Sequence, residues 1–268
     1  MVLKIIWSLA KILSISLLII FGLLYFFQER LLFLPEKLAA NHKFNFDQDF
    51  EELSIKSKDG TILNAVHFKA DSSKGIILYL HGNAGSIQSW GSVASTYTAL
   101  HYDLLMLDYR GYGKSEGRIK NEQELYEDAQ AFYNEAKRQF PESQIILLGY
   151  SIGTGMASYL AAHNDPQLLI LQAPYFNMKD LVNKKFPFVP SILLRYKLEN
   201  NRWVQQCKPP IVIFHGTSDE VIDFESSQKL QKIFKNGDQL ISLEGVSHNE
   251  ITENEHYRKS LQTILNQH

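Results

Sequence analysis

Residues 145–157, IILLGYSIGTGMA, contain the pattern that decides the fold. The first four are apolar in a row, which is typical of a strand buried on both faces. The stretch 152–163 has the length and spacing of a helix. Between them, Gly149 and Gly153 flank Ser151 in the order G-x-S-x-G. A strand, a tight turn carrying a serine, and a helix are the context that a nucleophile elbow requires.

The residue types at this turn have a physical reason. A sharp, strained turn lifts the hydroxyl of Ser151 off the sheet, and glycines two residues away let neighbouring backbone approach closely. The N–H groups that begin the following helix favour negative charge developing beside the serine. The alternative is an ordinary strand-to-helix turn that happens to contain a serine.

Other parts of the chain repeat the alternation of strand and helix. Further short apolar runs lie at 75–80, 104–107, 168–171 and 211–214. Stretches of helical length separate most of these runs, at about 86–100, 121–140 and 152–163. This spacing implies right-handed crossovers and a mostly parallel central sheet with helices on both faces, an α/β fold.

The two ends of this region have their own patterns. A hairpin is predicted from the alternating stretches 52–57 and 61–68, joined by the turn 58–60. Towards the end of the chain we expect a helix at 225–234, a strand at 239–243 and a last helix from about 250.

Composition sets broad limits. With 45% hydrophobic and 21% charged residues, the 268-residue chain is typical of a globular protein. A net charge of -2 gives no reason to expect a nucleic acid partner. Cys207 is the only cysteine, so an intramolecular disulfide is excluded.

The N-terminal residues predict a membrane anchor. From 5 to 27 the chain is almost wholly apolar, and Lys11 is its only charge; this segment is long enough to cross a hydrocarbon core of about 30 Å. A cleaved signal peptide would need a small-x-small site after the apolar run, where residues 28–30 read QER. A buried core helix is the third possibility. We predict an anchor helix at 1–28 and a connector at 29–50.

The charges beside this segment predict its orientation. Lys4 and Lys11 precede the span, so the positive-inside rule keeps the N-terminus cytoplasmic and places the remaining domain, 51–268, on the non-cytoplasmic side. Arg30 and Lys37, after the span, oppose this orientation.

A serine nucleophile needs a general base. The histidines after the serine are His163, His215, His248, His256 and His268. His248 follows the last predicted strand, in a loop that can reach the serine, so it is the predicted base. His163 ends the helix that the serine begins, and His215 is expected to pack or hydrogen-bond structurally.

The base in turn needs an acid to orient it. The residues after the run at 211–214 read HGTSDE. Asp219 lies in this loop, and the end of the strand before it would lie beside the end of the strand that carries the serine. We predict Asp219 as the acid, with Asp223 as the alternative. Glu220 would face away if Asp219 faces the site. An aspartate that only forms a turn is the competing interpretation.

An oxyanion hole requires two backbone N–H donors. Ile152, the residue after the serine, is predicted to supply one. The loop HGNAG at 81–85 follows the run at 75–80 and is predicted to supply the other through Asn83, with Ala84 as the alternative.

At these residues the chain resembles the α/β-hydrolase superfamily, in the branch of ABHD-type depalmitoylases, bud-emergence-type proteins and serine aminopeptidase-like hydrolases. The matching stretches are LYLHGNAGS, LLMLDYRGYGKSEG, ILLGYSIGTGMA, LQAPY and IVIFHGTSDEVIDF, with GVSHN near the end. The resemblance implies that Asp108 anchors a loop and that residues 177–208, an apolar insert with two prolines, form a cap over the site.

Together, the residues and the resemblance predict a membrane-anchored serine hydrolase that cleaves carboxylic esters or thioesters of small-molecule or lipid-like acyl substrates. The chemistry requires no metal or organic cofactor. A peptidase of aminopeptidase type is the alternative, although Glu199 in the cap does not make the carboxylate cluster that binding of a substrate amine needs. A membrane-tethered binding protein without catalysis is the third hypothesis. The sequence predicts neither the acyl length nor the oligomeric state.

Overall fold

The computed structural model describes residues 1–267, so His268 lies outside the described residues. Eight strands form one sheet in the order β8-β7-β6-β5-β3-β4-β2-β1. In chain order these are β1 (Phe50–Lys56), β2 (Ile62–Phe68), β3 (Gly75–Leu80), β4 (Tyr102–Leu107), β5 (Ile145–Tyr150), β6 (Leu168–Gln172), β7 (Ile211–Gly216) and β8 (Gln239–Leu243). The pairs β1–β2 and β2–β4 are antiparallel and the other five pairs are parallel, which confirms the predicted sheet.

Helices cover both faces of this sheet. The α-helices described within residues 1–267 are α1 (Val2–Phe26), which lies apart from the sheet, α2 (Gln28–Leu32), α3 (Ile87–Trp90), α4 (Ala94–Thr98), α5 (Glu122–Ala136), α6 (Gly153–His163), α7 (Met178–Lys185), α8 (Asn200–Val204), α9 (Glu225–Gln231) and α10 (Glu255–Leu265). Along β3, Ile76 and Leu78 pack into one apolar cluster, while Ile77 and Tyr79 pack into a second. Because strand side chains alternate in direction, this division means that β3 is buried on both faces, as its sequence predicts.

The predicted helix at 86–100 is divided into α3 and α4 by a short 3₁₀ turn, Gly91–Val93. A Cβ atom built on Gly91 would lie 2.5 Å from the ring of Phe46 and 3.1 Å from that of Phe68. The backbone therefore packs directly against aromatic rings at this point. The physical reason for the division is a tertiary contact that helical periodicity does not report.

The N-terminal segment forms the expected apolar helix. Among residues 1–267, α1 is the one helix long and apolar enough to cross a membrane, judged by length and composition. None of its residues is buried against the rest of the protein. The next helix, α2, begins at Gln28, whose Oε1 accepts a hydrogen bond from the Arg195 amide at 2.9 Å. Gln28 thus joins the end of the apolar helix to the insert.

The connector contains structure that the sequence analysis did not predict. Leu34–Pro35 pairs in parallel with Ala84–Gly85, the loop that follows β3. Phe33 is buried, whereas Leu31 and Leu34 are exposed. The connector therefore packs on the domain through one side and presents apolar side chains on the other.

Candidate active site

Ser151 lies on a strained turn between β5 and α6. Its φ is 52°, in the left-handed region that side chains other than glycine rarely adopt. Such a residue costs about 1–3 kcal/mol and persists only where the surrounding structure holds it. The Ser151 amide is held by a hydrogen bond to the carbonyl of Gln172 at 2.9 Å. This is the backbone geometry that a nucleophile elbow requires.

The two glycines of the turn are required by close backbone contacts. A Cβ on Gly153 would lie 2.0 Å from the carbonyl oxygen of Leu80, at the end of β3. A Cβ on Gly149 would lie 2.6 Å from the Cα of Thr154. Any larger residue would push the helix away from the sheet edge and displace the serine.

The structure brings the three predicted side chains together. His248 Nε2 lies 3.1 Å from Ser151 Oγ, and His248 Nδ1 lies 2.7 Å from Asp219 Oδ2. All three residues are largely buried, with 6–8% of their surfaces exposed. A hydroxyl, an imidazole and a carboxylate in one hydrogen-bonded series form the arrangement that can raise the nucleophilicity of a serine.

The loop after β8 that carries His248 is fixed by neighbouring residues. The Tyr150 hydroxyl donates a hydrogen bond to the His248 carbonyl. The His248 amide donates to Glu220 Oε2 at 3.4 Å. Tyr150, next to Ser151, and Glu220, next to Asp219, therefore both hold the backbone of His248.

Asp219 accepts hydrogen bonds on both carboxylate oxygens. The amides of Val221 and Ile222 donate to Oδ1 at 2.9 and 2.7 Å. Burial opposes ionisation of this carboxyl group, but hydrogen bonds from His215 and His248 outweigh it and hold the pKa of Asp219 well below its ordinary value. Asp219 is therefore an anion that can orient an imidazole.

The alternative acid, Asp223, is engaged elsewhere. Its carboxylate forms an ion pair with Lys184 at 2.9 Å, and its side chain is about one-third exposed. It is therefore not the carboxylate that the structure places against His248.

His215 is a fully buried residue that contacts this group, and the sequence analysis assigned it only a structural role. Its Nε2 lies 2.8 Å from the carbonyl of Ile222 and 3.2 Å from Asp219 Oδ2, and its Nδ1 lies 2.6 Å from Ser227 Oγ. The only sequence signal was a histidine at the end of the strand before the acid. Of the other histidines, His163 contacts the Tyr159 carbonyl at the end of α6.

The predicted oxyanion donors lie on the loops after β3 and β5. The Asn83 carbonyl accepts hydrogen bonds from the Leu34 amide at 2.8 Å and the Tyr112 hydroxyl at 2.6 Å, which fixes the peptide group between Asn83 and Ala84. Within residues 1–267, the amides of Asn83 and Ile152 donate no hydrogen bond. Ala84, the alternative donor, lies in the short strand paired with Leu34.

The insert lies beside the acid loop. Lys185 Nζ donates to the Glu220 carbonyl at 2.9 Å, next to Asp219. Two apolar side chains at the tip of the insert, Phe188 and Ile192, are 91% and 88% exposed.

Within residues 1–267, no group of three or more histidine, cysteine or acidic side chains is arranged to hold a metal ion.

Asp108 occupies a loop position, as the resemblance implied. Its Oδ1 accepts a hydrogen bond from the Ile87 amide at 2.9 Å, and its backbone carbonyl accepts one from the Ser115 hydroxyl at 2.6 Å. The side chain thus joins the loop after β4 to the start of α3.

The sheet order, the turn after β5 and the acid and histidine loops at one sheet edge are those of an α/β hydrolase. Residues 71–205 match the serine aminopeptidase family, S33, and the chain belongs to that family. An esterase of Pyrococcus furiosus has a similar structure, with a TM-score of 0.70 at 17% identity, covering 88% of this chain and 97% of the esterase.

Two curated relatives are similar in sequence. Protein bem46 of Schizosaccharomyces pombe is 29% identical over 226 residues, which is 76% of this chain and 74% of bem46. Lysophosphatidylserine lipase ABHD12 of Xenopus tropicalis is 29% identical over 235 residues, 74% of this chain and 60% of the lipase. This chain therefore spans less than two thirds of the frog protein.

Proposed function

We propose that this hydrolase is a serine esterase or thioesterase that acts through an acyl-enzyme intermediate. The observation that carries the proposal is the hydrogen-bonded series from Asp219 through His248 to Ser151, with contacts of 2.7 and 3.1 Å. A serine hydroxyl in this position can pass its proton to His248, and Asp219 holds the imidazole in a fixed orientation.

In the first half-reaction, Ser151 Oγ attacks the acyl carbonyl carbon while His248 Nε2 takes the hydroxyl proton. The carbonyl oxygen becomes an oxyanion, and the amides of Asn83 and Ile152 are its proposed donors. Each such donor is typically worth about 3–4 kcal/mol of transition-state stabilisation. The intermediate expels the alcohol or thiol, which leaves with the proton from His248.

In the second half-reaction, water replaces the leaving group. His248 takes a proton from the water as its oxygen attacks the acyl carbon, and then returns a proton to Ser151 Oγ as the acid is released. Asp219 keeps Nδ1 of the imidazole protonated and stabilises the imidazolium formed in each step. Water is the only co-reactant that the two half-reactions require.

Acyl or lipid-type esters are the proposed substrates. The apolar helix α1 ends beside the insert, and the insert exposes Phe188 and Ile192. An exposed apolar surface next to a candidate membrane helix favours substrates that reside in or on a bilayer. The frog relative is a lysophosphatidylserine lipase, which supports the same class of substrate.

The proposed organisation follows from the same features. Residues 1–28 serve as a single-pass anchor, 29–50 as a connector and 51–268 as the catalytic domain, with 177–208 as its cap. The catalytic domain lies on the non-cytoplasmic side, because Lys4 and Lys11 precede the span. Protection of the domain from protease added outside intact cells would contradict this orientation.

Peptide bond cleavage is the second candidate, because the matching family is described as serine aminopeptidases. Recognition of a free substrate amine would require acidic side chains at the site. The two acids of the cap are paired with basic side chains instead: Glu199 lies 3.7 Å from Arg202, and Asp180 lies 2.9 Å from Lys229. We therefore propose ester cleavage as the main activity.

The test compares Ser151→Ala with the exposed control Ser92→Ala. The first variant should lose p-nitrophenyl ester turnover and fluorophosphonate labelling, whereas the second should keep both. An aminoacyl p-nitroanilide assayed in parallel measures the peptidase alternative. Labelling that persists in Ser151→Ala would overturn the proposed nucleophile.

A further inference from the structure

A cavity of about 710 Å³ lies between the end of α1 and the loop after β4. Ser151 is not among its lining residues, so it is distinct from the candidate active site. Apolar and basic side chains share its wall. The apolar group includes Phe26, Phe27, Phe33 and Ile119. The basic group is Arg30, Lys37, Arg110, Arg118, Lys120 and Arg195.

Two of the basic side chains are neutralised by carboxylates. Arg110 is buried and bonds Asp128 through Nε at 2.6 Å, with Asp59 at 2.7 Å from its Nη1. Arg195 lies 3.3 Å from Glu29, the one acidic residue in the lining.

The other four have no such partner. Within residues 1–267, no carboxylate forms an ion pair with Arg30, Lys37, Arg118 or Lys120. The wall of the cavity therefore carries an uncompensated positive charge. A ligand that complements it has to be anionic.

Backbone contacts hold the basic wall in shape. Arg195 Nη2 donates to the Lys120 carbonyl at 2.6 Å, and Lys37 Nζ donates to the Ser115 carbonyl at 2.6 Å. These bonds join the insert, the connector and the loop after β4. The basic groups are thus presented by three segments that are fixed to one another.

The position of the cavity identifies the kind of anion. Phe26 and Phe27 lie where the candidate membrane helix ends, and the Arg30 guanidinium lies over the Phe27 ring at 5.1 Å. If α1 crosses a bilayer, this is the level of the lipid headgroups. Basic side chains just beyond an apolar span, beside aromatic rings, match a molecule with an anionic head and apolar tails.

We propose that this cavity binds the headgroup of an anionic phospholipid, with its acyl chains along Phe26 and Phe27. The inference depends on the membrane anchoring proposed above, but it does not depend on ester cleavage. It can therefore be tested in the Ser151→Ala protein, where a lipid that is also a substrate would persist. Extraction of membranes with alkaline carbonate tests the anchoring separately, because a spanning chain stays in the pellet.

The experiment uses the full chain with Ser151→Ala, purified in a neutral detergent. The protein is mixed with equal amounts of phosphatidylglycerol and phosphatidylcholine of the same acyl chains, and native mass spectrometry measures the bound fraction of each. We expect at least tenfold preference for phosphatidylglycerol, since several unpaired basic side chains attract the anionic headgroup and not the zwitterionic one. The combined change Arg30→Gln, Arg118→Gln and Lys120→Gln should remove most of this preference.

A matched control removes three positive charges elsewhere. Lys56, Lys74 and Lys232 are exposed and do not line the cavity, so their combined change to Gln should leave the preference unaltered. If the triple variant folds poorly, the lipid preference is measured for Arg118→Gln alone, which changes an exposed position and should lower the preference for phosphatidylglycerol. Equal retention of the two lipids, an equal loss in the control, or displacement of phosphatidylglycerol by millimolar inorganic phosphate would overturn the assignment.

Discussion

The buried imidazole of His215 contacts the Asp219 carboxylate, with 3.2 Å between Nε2 and Oδ2. The same oxygen lies 2.7 Å from Nδ1 of His248. Since Oδ1 accepts the amides of Val221 and Ile222, both oxygens of the carboxylate are occupied. A carboxylate held in this way has a fixed rotamer, so it can set the orientation of His248. His215 therefore acts on the candidate base through the acid.

The first prediction concerns this positioning residue. His215→Asn should reduce kcat for a p-nitrophenyl ester about tenfold and leave KM within twofold, because a hydrogen bond to a charged group is worth about 1.5 kcal/mol and about 1.4 kcal/mol corresponds to tenfold in rate. The control is His163→Asn at the exposed end of α6, which should change neither constant by more than twofold. An unchanged kcat in the folded His215 variant would contradict the positioning role.

The second prediction separates the two candidate acids. Asp219→Asn should lower kcat by about 10³–10⁴, because the imidazole loses the anion that fixes its tautomer. Asp223→Asn removes only an ion pair with Lys184 and should change kcat by less than about threefold. Steady-state kinetics on the two purified variants decide the matter. Comparable losses in both would mean that the acid is misassigned.

The third prediction follows from the pKa of Asp219, which lies below its ordinary value of 3.8. A depressed pKa means that the folded state favours the carboxylate, so its contribution to stability is present above pH 3.8. That contribution is lost as the pH falls from 3.8 towards the folded-state pKa. Urea unfolding should therefore give the wild type a higher free energy of unfolding than Asp219→Asn. This difference should be constant from pH 8 to 5 and should shrink below pH 4. A difference that stays constant down to pH 3 would refute it.

The site could be predicted from sequence where its signal is local. The sequence signal for Ser151 lies within residues 149–153, and the direct contacts of Gly149 and Gly153 with backbone explain why no larger residue stands there. Asp219 and His248 could be predicted because each follows a strand of recognisable type, and strand ends of a parallel sheet meet at one edge.

The contacts that the sequence did not predict are long-range and short in extent. The pairing of Leu34–Pro35 with Ala84–Gly85 involves two residues on each side, too few for any periodicity. The contact between His215 and Asp219 depends on how the loop after β7 curls back on its strand. Neither arrangement leaves a pattern in the residues themselves, so only the packed chain reveals them.

The fourth prediction concerns the single cysteine. Burial raises the pKa of the Cys207 thiol to about 12, and the residue is 4% exposed. Because the thiolate is the reactive form, iodoacetamide at pH 8 should leave the folded protein unlabelled and its ester turnover intact. The same reagent in urea should label one site per chain. Rapid labelling of the folded protein would show that the thiol is more accessible than the structure describes.

The last prediction concerns the tip of the insert. Phe188 and Ile192 are almost fully exposed, which is costly in water for large apolar side chains. Both residues belong to the insert 177–208. The Arg195 amide of this insert donates a hydrogen bond to Gln28, which lies just after the end of α1. A bilayer that holds α1 would therefore lie close to this tip, and insertion of the two side chains would keep the mouth of the site against the lipid.

Replacing both Phe188 and Ile192 with serine should reduce turnover of a long-chain ester presented in vesicles at least tenfold, because each apolar side chain buried in lipid contributes up to about 1.5–3 kcal/mol. Turnover of water-soluble p-nitrophenyl acetate should remain within twofold, since both side chains are almost fully exposed whereas Ser151, His248 and Asp219 are buried. This contrast is an internal control for correct folding. An equal fall on both substrates would indicate that the tip supports the site itself, and an unchanged rate on vesicles would exclude its contact with the membrane.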